Sequence, residues 1–160
     1  MNAAPLLLSV AIACATVPTA SAQLKKAPSP AGIWEFKTAV LYDSCTISGQ
    51  MEIRPDGDKN SKRFTCTFRA VQACTRGGIR TIHTDQSCSA SQTGSQINIV
   101  SKVDKIVSTD PADLMKGMLE RYWPDNFKVA INPRGDEMDG AFESQGEAPV
   151  KFLRKQELVS

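Results

Sequence analysis

The sequence has few of the residues that carry out chemistry. It holds a single histidine, His83, and no Cys-x-x-Cys pair, so the common His/Cys zinc sets are missing. It has neither a glycine-rich phosphate loop nor a Gly-x-Ser-x-Gly elbow, which removes two familiar signatures of phosphate handling and serine-hydrolase chemistry. Acidic residues are scattered singly, with no Asp-x-Asp-x-Asp calcium loop. Charge of one sign is also missing: 19 basic and 17 acidic residues leave a net charge of +2 and no long basic run. Nucleic acid and anionic membrane surfaces are therefore poor partners. No catalytic residue, metal ligand or cofactor is expected. His83 shares a face with Thr81 and Asp85, and that spacing could orient an imidazole, but no nucleophile or metal partner accompanies it. Strand register brings Asp85 near Arg69, which points to an ordinary exposed ion pair.

What is present begins with a leader. Residues Pro5 to Pro18 are apolar and no charged side chain precedes Lys25; Ala20-Ser21-Ala22 then supplies the small-x-small pattern of a signal-peptidase site. Residues 1–22 read as a signal peptide, with Gln23 as the first mature residue. The run is too short, and too broken by Pro18 and Thr19, for an integral membrane span. A lipoprotein reading, with Cys14 acylated after Ala11-Ile12-Ala13, is the weaker alternative. Cleavage leaves Cys45, Cys66, Cys74 and Cys88, an even count that reads as two disulfides in an extracytoplasmic (periplasmic or secreted) protein.

Residues 23–31 hold lysines and prolines without periodicity and read as a flexible tail. From Gly32 to residue 156 the sequence reads as one domain in which apolar and polar residues alternate. In Cys45 to Arg54 each odd position is apolar or small and each even one polar, the pattern of a strand with one buried face. Similar runs start at Ile33, Phe64, Ile97, Phe127, Met138 and Val150, with Ile79 to Ala90 the least regular. That makes eight strands. Pro55-Asp56-Gly57-Asp58, Arg76-Gly77-Gly78 and Pro133-Arg134-Gly135-Asp136 supply turns. Between the fifth and sixth strands, Thr109-Asp110-Pro111 opens a helical pattern of Leu114, Met115, Met118, Leu119 and Tyr122 that Pro124 ends, about three turns long. The expected fold is all-β: an eight-stranded antiparallel up-and-down barrel with one short α-helix before the sixth strand, because closure removes exposed strand edges. A hairpin centred on Gly77 sets Cys66 opposite Cys88, and the longer connection around Lys59 and Asn60 sets Cys45 near Cys74. Disulfides Cys45–Cys74 and Cys66–Cys88 are preferred over the other two connectivities.

Gly32-Ile33-Trp34 at the start of the first strand and Arg154 in the last resemble the calycin superfamily of lipocalins, avidins and their relatives. The resemblance implies that Trp34 closes the base of the barrel and Arg154 stacks on its indole. It also implies a binding function. Gly32, Trp34 and Cys45 are similar, too, to the opening of bacterial metalloprotease-inhibitor barrels; there the resemblance implies that Gln23 to Pro30 is an extension that enters a protease cleft.

A non-enzymatic binding protein is the reading these features share: a monomer that takes a small apolar ligand or an extracytoplasmic protein, or else a structural envelope protein. Tyr122-Trp123 is the one aromatic pair with no strand to bury it. The expected site is the barrel mouth beside Tyr122 and Trp123, with Met51, Phe68 and Ile99 lining any pocket beneath. A bulky inward set that includes Trp34 and several phenylalanines favours an interior filled by side chains.

Overall fold

The computed structural model describes residues 27–57 and 61–155. The expected signal peptide over residues 1–22, Cys14, the expected N-terminus at Gln23, residues 58–60 of the second turn and residue 156 lie outside the described residues. Eight strands follow in order: β1 (Gly32–Thr38), β2 (Cys45–Pro55), β3 (Arg63–Cys74), β4 (Thr81–Thr93), β5 (Gln96–Asp110), β6 (Asn126–Ile131), β7 (Glu137–Glu143) and β8 (Glu147–Arg154). Each pairs antiparallel with the next, and β8 returns to β1, so the sheet closes into an up-and-down barrel. Period-two alternation suits this closure, because a sheet curled on itself buries one whole face and leaves no free edge. Inward positions are apolar and outward ones carry Glu35, Lys37, Arg69 and Lys128. That polarity is the reverse of a membrane barrel's apolar outer band. Among the described residues no helix is long and apolar enough to cross a membrane.

Register fixes the covalent ties. Cys45 lies opposite Cys74 and Cys66 opposite Cys88, and both pairs are bonded. Two disulfides are consistent with an extracytoplasmic protein. The interior is packed with aromatic rings. Phe127 lies 5.2 Å from Phe36 and Phe152, 5.6 Å from Phe142 and 5.9 Å from Phe68, all at steep interplanar angles. Edge-to-face packing of this kind adds about 0.5–1.5 kcal/mol per pair beyond the area buried.

One end is closed by the segment that leads into β1. The Trp34 indole N–H donates to the Pro30 carbonyl at 2.8 Å, and the Gln92 amide donates to Pro28. The Arg154 guanidinium stacks on Trp34 at 4.3 Å and donates to the carbonyls of Ser29, Ala31 and Gly135. Ala27 to Ala31, part of the segment that composition reads as a flexible tail, is thus strapped across the barrel end.

The other end is built from unequal strands. β4 and β5 have 13 and 15 residues against six in β6, and β6 pairs with β5 only over Gln96–Ile99. The β4–β5 hairpin therefore runs past the barrel, carrying Ile82 and Ile106. A cap covers them: Leu114, Met118 and Tyr122 pack on Ile82, Ile106, Ile79 and Val103. This cap is not the three-turn helix that the apolar spacing suggests. It is a single 3-10 turn, Ala112–Met115, followed by one α-helical turn, α1 (Met118–Arg121). Gly117 separates them at φ +77, a left-handed conformation that ends a helix and that glycine adopts without steric cost. Met115 and Leu119 consequently stay exposed.

Candidate functional site

The cap end of the barrel gathers the aromatic residues that the core does not use. Tyr42 occupies the β1–β2 connection at φ +51, followed by Asp43 at φ +59. Left-handed backbone at two non-glycine residues costs on the order of 1 kcal/mol each, and the turn is held by Ser44 and Cys45 N–H groups donating to the Leu41 carbonyl. The Tyr42 ring rests on Gly146 in the β7–β8 turn, where an added Cβ would lie 3.0 Å from the ring. That turn is also tied to the cap: the Ser144 hydroxyl donates to the Trp123 carbonyl and the Gln145 amide to the Arg121 carbonyl, each at 3.3 Å. Tyr42 and Trp123 thus flank one turn, 53% and 58% exposed, with Leu119 at 51% on α1.

Beneath this surface lies a polar layer that the alternation does not advertise. Thr84 and Gln86 point inward from β4 and are buried. Asp125, the residue at which the cap re-enters the barrel, is wholly buried. The Gln86 amide N–H donates to the Asp125 carboxylate at 2.6 Å and to the Thr84 hydroxyl at 3.0 Å. The Gln86 carbonyl accepts from the Asp125 backbone N–H and the Ser101 hydroxyl, both at 3.1 Å. The Ser101 hydroxyl shares its one proton between that carbonyl and the Asp125 main-chain carbonyl, which lies closer at 2.7 Å. Tyr122 closes the layer from the cap, its hydroxyl donating to the carboxylate at 3.1 Å. Burial pushes the Asp125 carboxyl up to about 7, against the opposing pull of its bonds from Gln86 and Tyr122. Burial and the nearby carboxylate push the Tyr122 hydroxyl far above its ordinary range, and the same two causes raise Tyr42.

The residues expected to form a site fall into two groups. Tyr122 and Trp123 are at the cap end, Tyr122 turned inward and Trp123 outward. Met51, Phe68 and Ile99 are buried in the packed interior, where Met51 faces Phe68 across strands and Ile99 faces Phe127. The Asp125–Gln86 layer and the Phe127 cluster adjoin them. A groove of about 820 Å³ lies outside the barrel, across β1, β2 and β8, lined by Glu35, Lys37, Gln50, Lys151 and Leu153 among others. His83 is on the outer face of β4, and Asp85 pairs with Arg69 at 2.9 Å. Among the described residues no group of three or more His, Cys, Asp or Glu side chains could hold a metal.

Sequence reasoning missed Tyr42, Thr84, Gln86 and Asp125. A signal existed for the last three. Thr84 and Gln86 share parity with Ile82 and Ala90, and Asp125 shares parity with Phe127 and Val129, so each is a polar residue in an inward slot. Comparison with protein-family models, with curated proteins and with solved structures returns no significant match for this chain.

Proposed function

We propose that this is an exported, non-enzymatic binding protein that engages an extracytoplasmic protein through the cap end of its barrel, around Tyr42, Leu119 and Trp123. One observation carries the reading: three large apolar side chains, each more than half exposed, gather at the end where regular β-structure stops. Exposed, clustered aromatics are the usual anchors of protein interfaces, since they bury much area at little conformational cost. A left-handed backbone at Tyr42 adds support, because such strain is retained where a side chain must be presented in one direction. The filled interior argues for an outer surface over an internal ligand. The two disulfides suit an oxidising compartment.

The test is site-specific photo-crosslinking from position 119 in cells, with Trp123→Ala and His83→Ala compared for the same adduct. One discrete partner, lost with Trp123→Ala and kept with His83→Ala, is the expected result. Adducts that ignore Trp123, or saturable binding of a fluorescent fatty acid with perturbed Met51, Phe68 and Ile99 signals, would favour the small-ligand reading instead.

A further inference from the structure

Among the described residues Asp125 is the one carboxylate that the barrel buries completely, and it lies at a joint. Residues 112–124 of the cap precede it and β6 follows it. Every group bonded to its carboxylate is neutral: the Gln86 amide from β4 and the Tyr122 hydroxyl from the cap, with Thr84 bonded behind Gln86, the Ser101 hydroxyl of β5 on the Asp125 main-chain carbonyl, and the Tyr42 hydroxyl of the β1–β2 connection near enough to feel its charge. Among the described residues no Lys, Arg or His pairs with it. An ionised carboxylate so placed has lost its water without gaining a counter-charge. A neutral carboxyl fits the same slot without that penalty.

We infer that Asp125 is a proton-controlled latch: its neutral carboxyl holds the cap on the barrel, and its ionisation loosens the cap and uncovers the outer end of the β4–β5 hairpin. The cap is the side that yields. Gln86, Thr84 and Ser101 belong to the long hairpin, whose strands share a ladder from Thr93↔Gln96 to Thr81↔Asp110. The cap has only two single helical turns, held by the small Ile82–Ile106–Met118 cluster and by side-chain bonds to the β7–β8 turn. Lifting Tyr122 admits water to the carboxylate and leaves the aromatic interior closed. It also bares Ile82, Ile106 and the edge of β5 that β6 does not reach. The inference stands on this geometry and is independent of the partner proposed above.

The sign follows from linkage. A carboxyl that is raised in the closed state and ordinary in the open one makes opening more favourable as pH rises. Opening grows about tenfold per pH unit between the two values, then levels off above the closed-state one. NMR of the labelled protein reads both halves. The Asp125 carboxyl carbon should titrate near 7. Exchange protection of the 112–124 amides, corrected for intrinsic rates, should fall roughly 100-fold between about pH 5 and about pH 8, with protection in β2 and β3 retained. Asp125→Asn should abolish the dependence, whereas His83→Ala, which removes the only imidazole, should leave it. A carboxyl carbon titrating in the ordinary range near 4 would overturn the latch. So would a cap that ignores the titration, or a dependence that persists in Asp125→Asn. The carbon titration and cap exchange of the unmodified protein decide the matter even where the variant fails to fold.

Discussion

Arg154 is half-buried with its charge intact, because three carbonyl oxygens and the Trp34 ring receive it. Charge-assisted bonds and cation–π contact together are worth about 2–4 kcal/mol, so Arg154→Ala should lower stability by that order in urea unfolding. Arg154→Lys should recover little, since an ammonium cannot span three carbonyls as a planar fork does. Asp125 takes the opposite course and is held without a cation among the described residues. Its carboxyl lies near 7 when folded and near 3.9 when unfolded, so the folded state binds the extra proton between those values. Its contribution to stability is full below about pH 4, falls by up to about 1.4 kcal/mol per unit toward pH 7, and is flat above. Urea midpoints of the protein and of Asp125→Asn should therefore diverge as pH rises, with the variant the more stable near pH 8.

At the scale of strands, tight contacts between backbones set which glycines are irreplaceable. A Cβ at Gly49 of β2 would fall 2.1 Å from the Arg69 carbonyl oxygen and 2.9 Å from the Phe36 ring. Gly49→Ala should cost about 2–3 kcal/mol in thermal or urea unfolding, the range of overpacked cores. Gly94→Ala meets nothing within 4 Å and should cost only about 1 kcal/mol, from its positive φ. The strands themselves were legible wherever one face is wet and the other dry, as in Cys45 to Arg54, and their turns carry glycine where the register needs it. The far half of β5 was not legible. Asp104 and Val107 are extra residues opposite β4, and each bulge shifts the period-two pattern by one. The inward series therefore passes from Ile99 and Val103 to Ile106 and Thr109. In the cap, spacing alone could not reveal that Gly117 divides a helical stripe into two separate turns. The polar layer escaped because Thr84 and Gln86 make β4 look irregular, when they are inward residues awaiting Asp125.

Across the whole molecule, stability is shared between a dry aromatic interior and two staples. Each disulfide closes a loop, over separations of 29 and 22 residues, and opening either should lower stability by about 3–4 kcal/mol in the chain-entropy model. Cys66→Ala/Cys88→Ala unfolding curves would measure this. Both bridges lie on β2, β3 and β4, and seven of the eight strand junctions join consecutive strands. The eighth does not: residues 34–38 meet 150–154, almost the whole domain away. Closing such a loop is entropically expensive, so the junction should form after the local hairpins and part before them. In stopped-flow experiments Phe152→Leu should quicken unfolding and barely change refolding, whereas Phe68→Leu should slow refolding. The protein's lifetime under denaturing conditions is then a kinetic property of the seam between its first and last strands, which neither a disulfide nor a connecting turn holds shut.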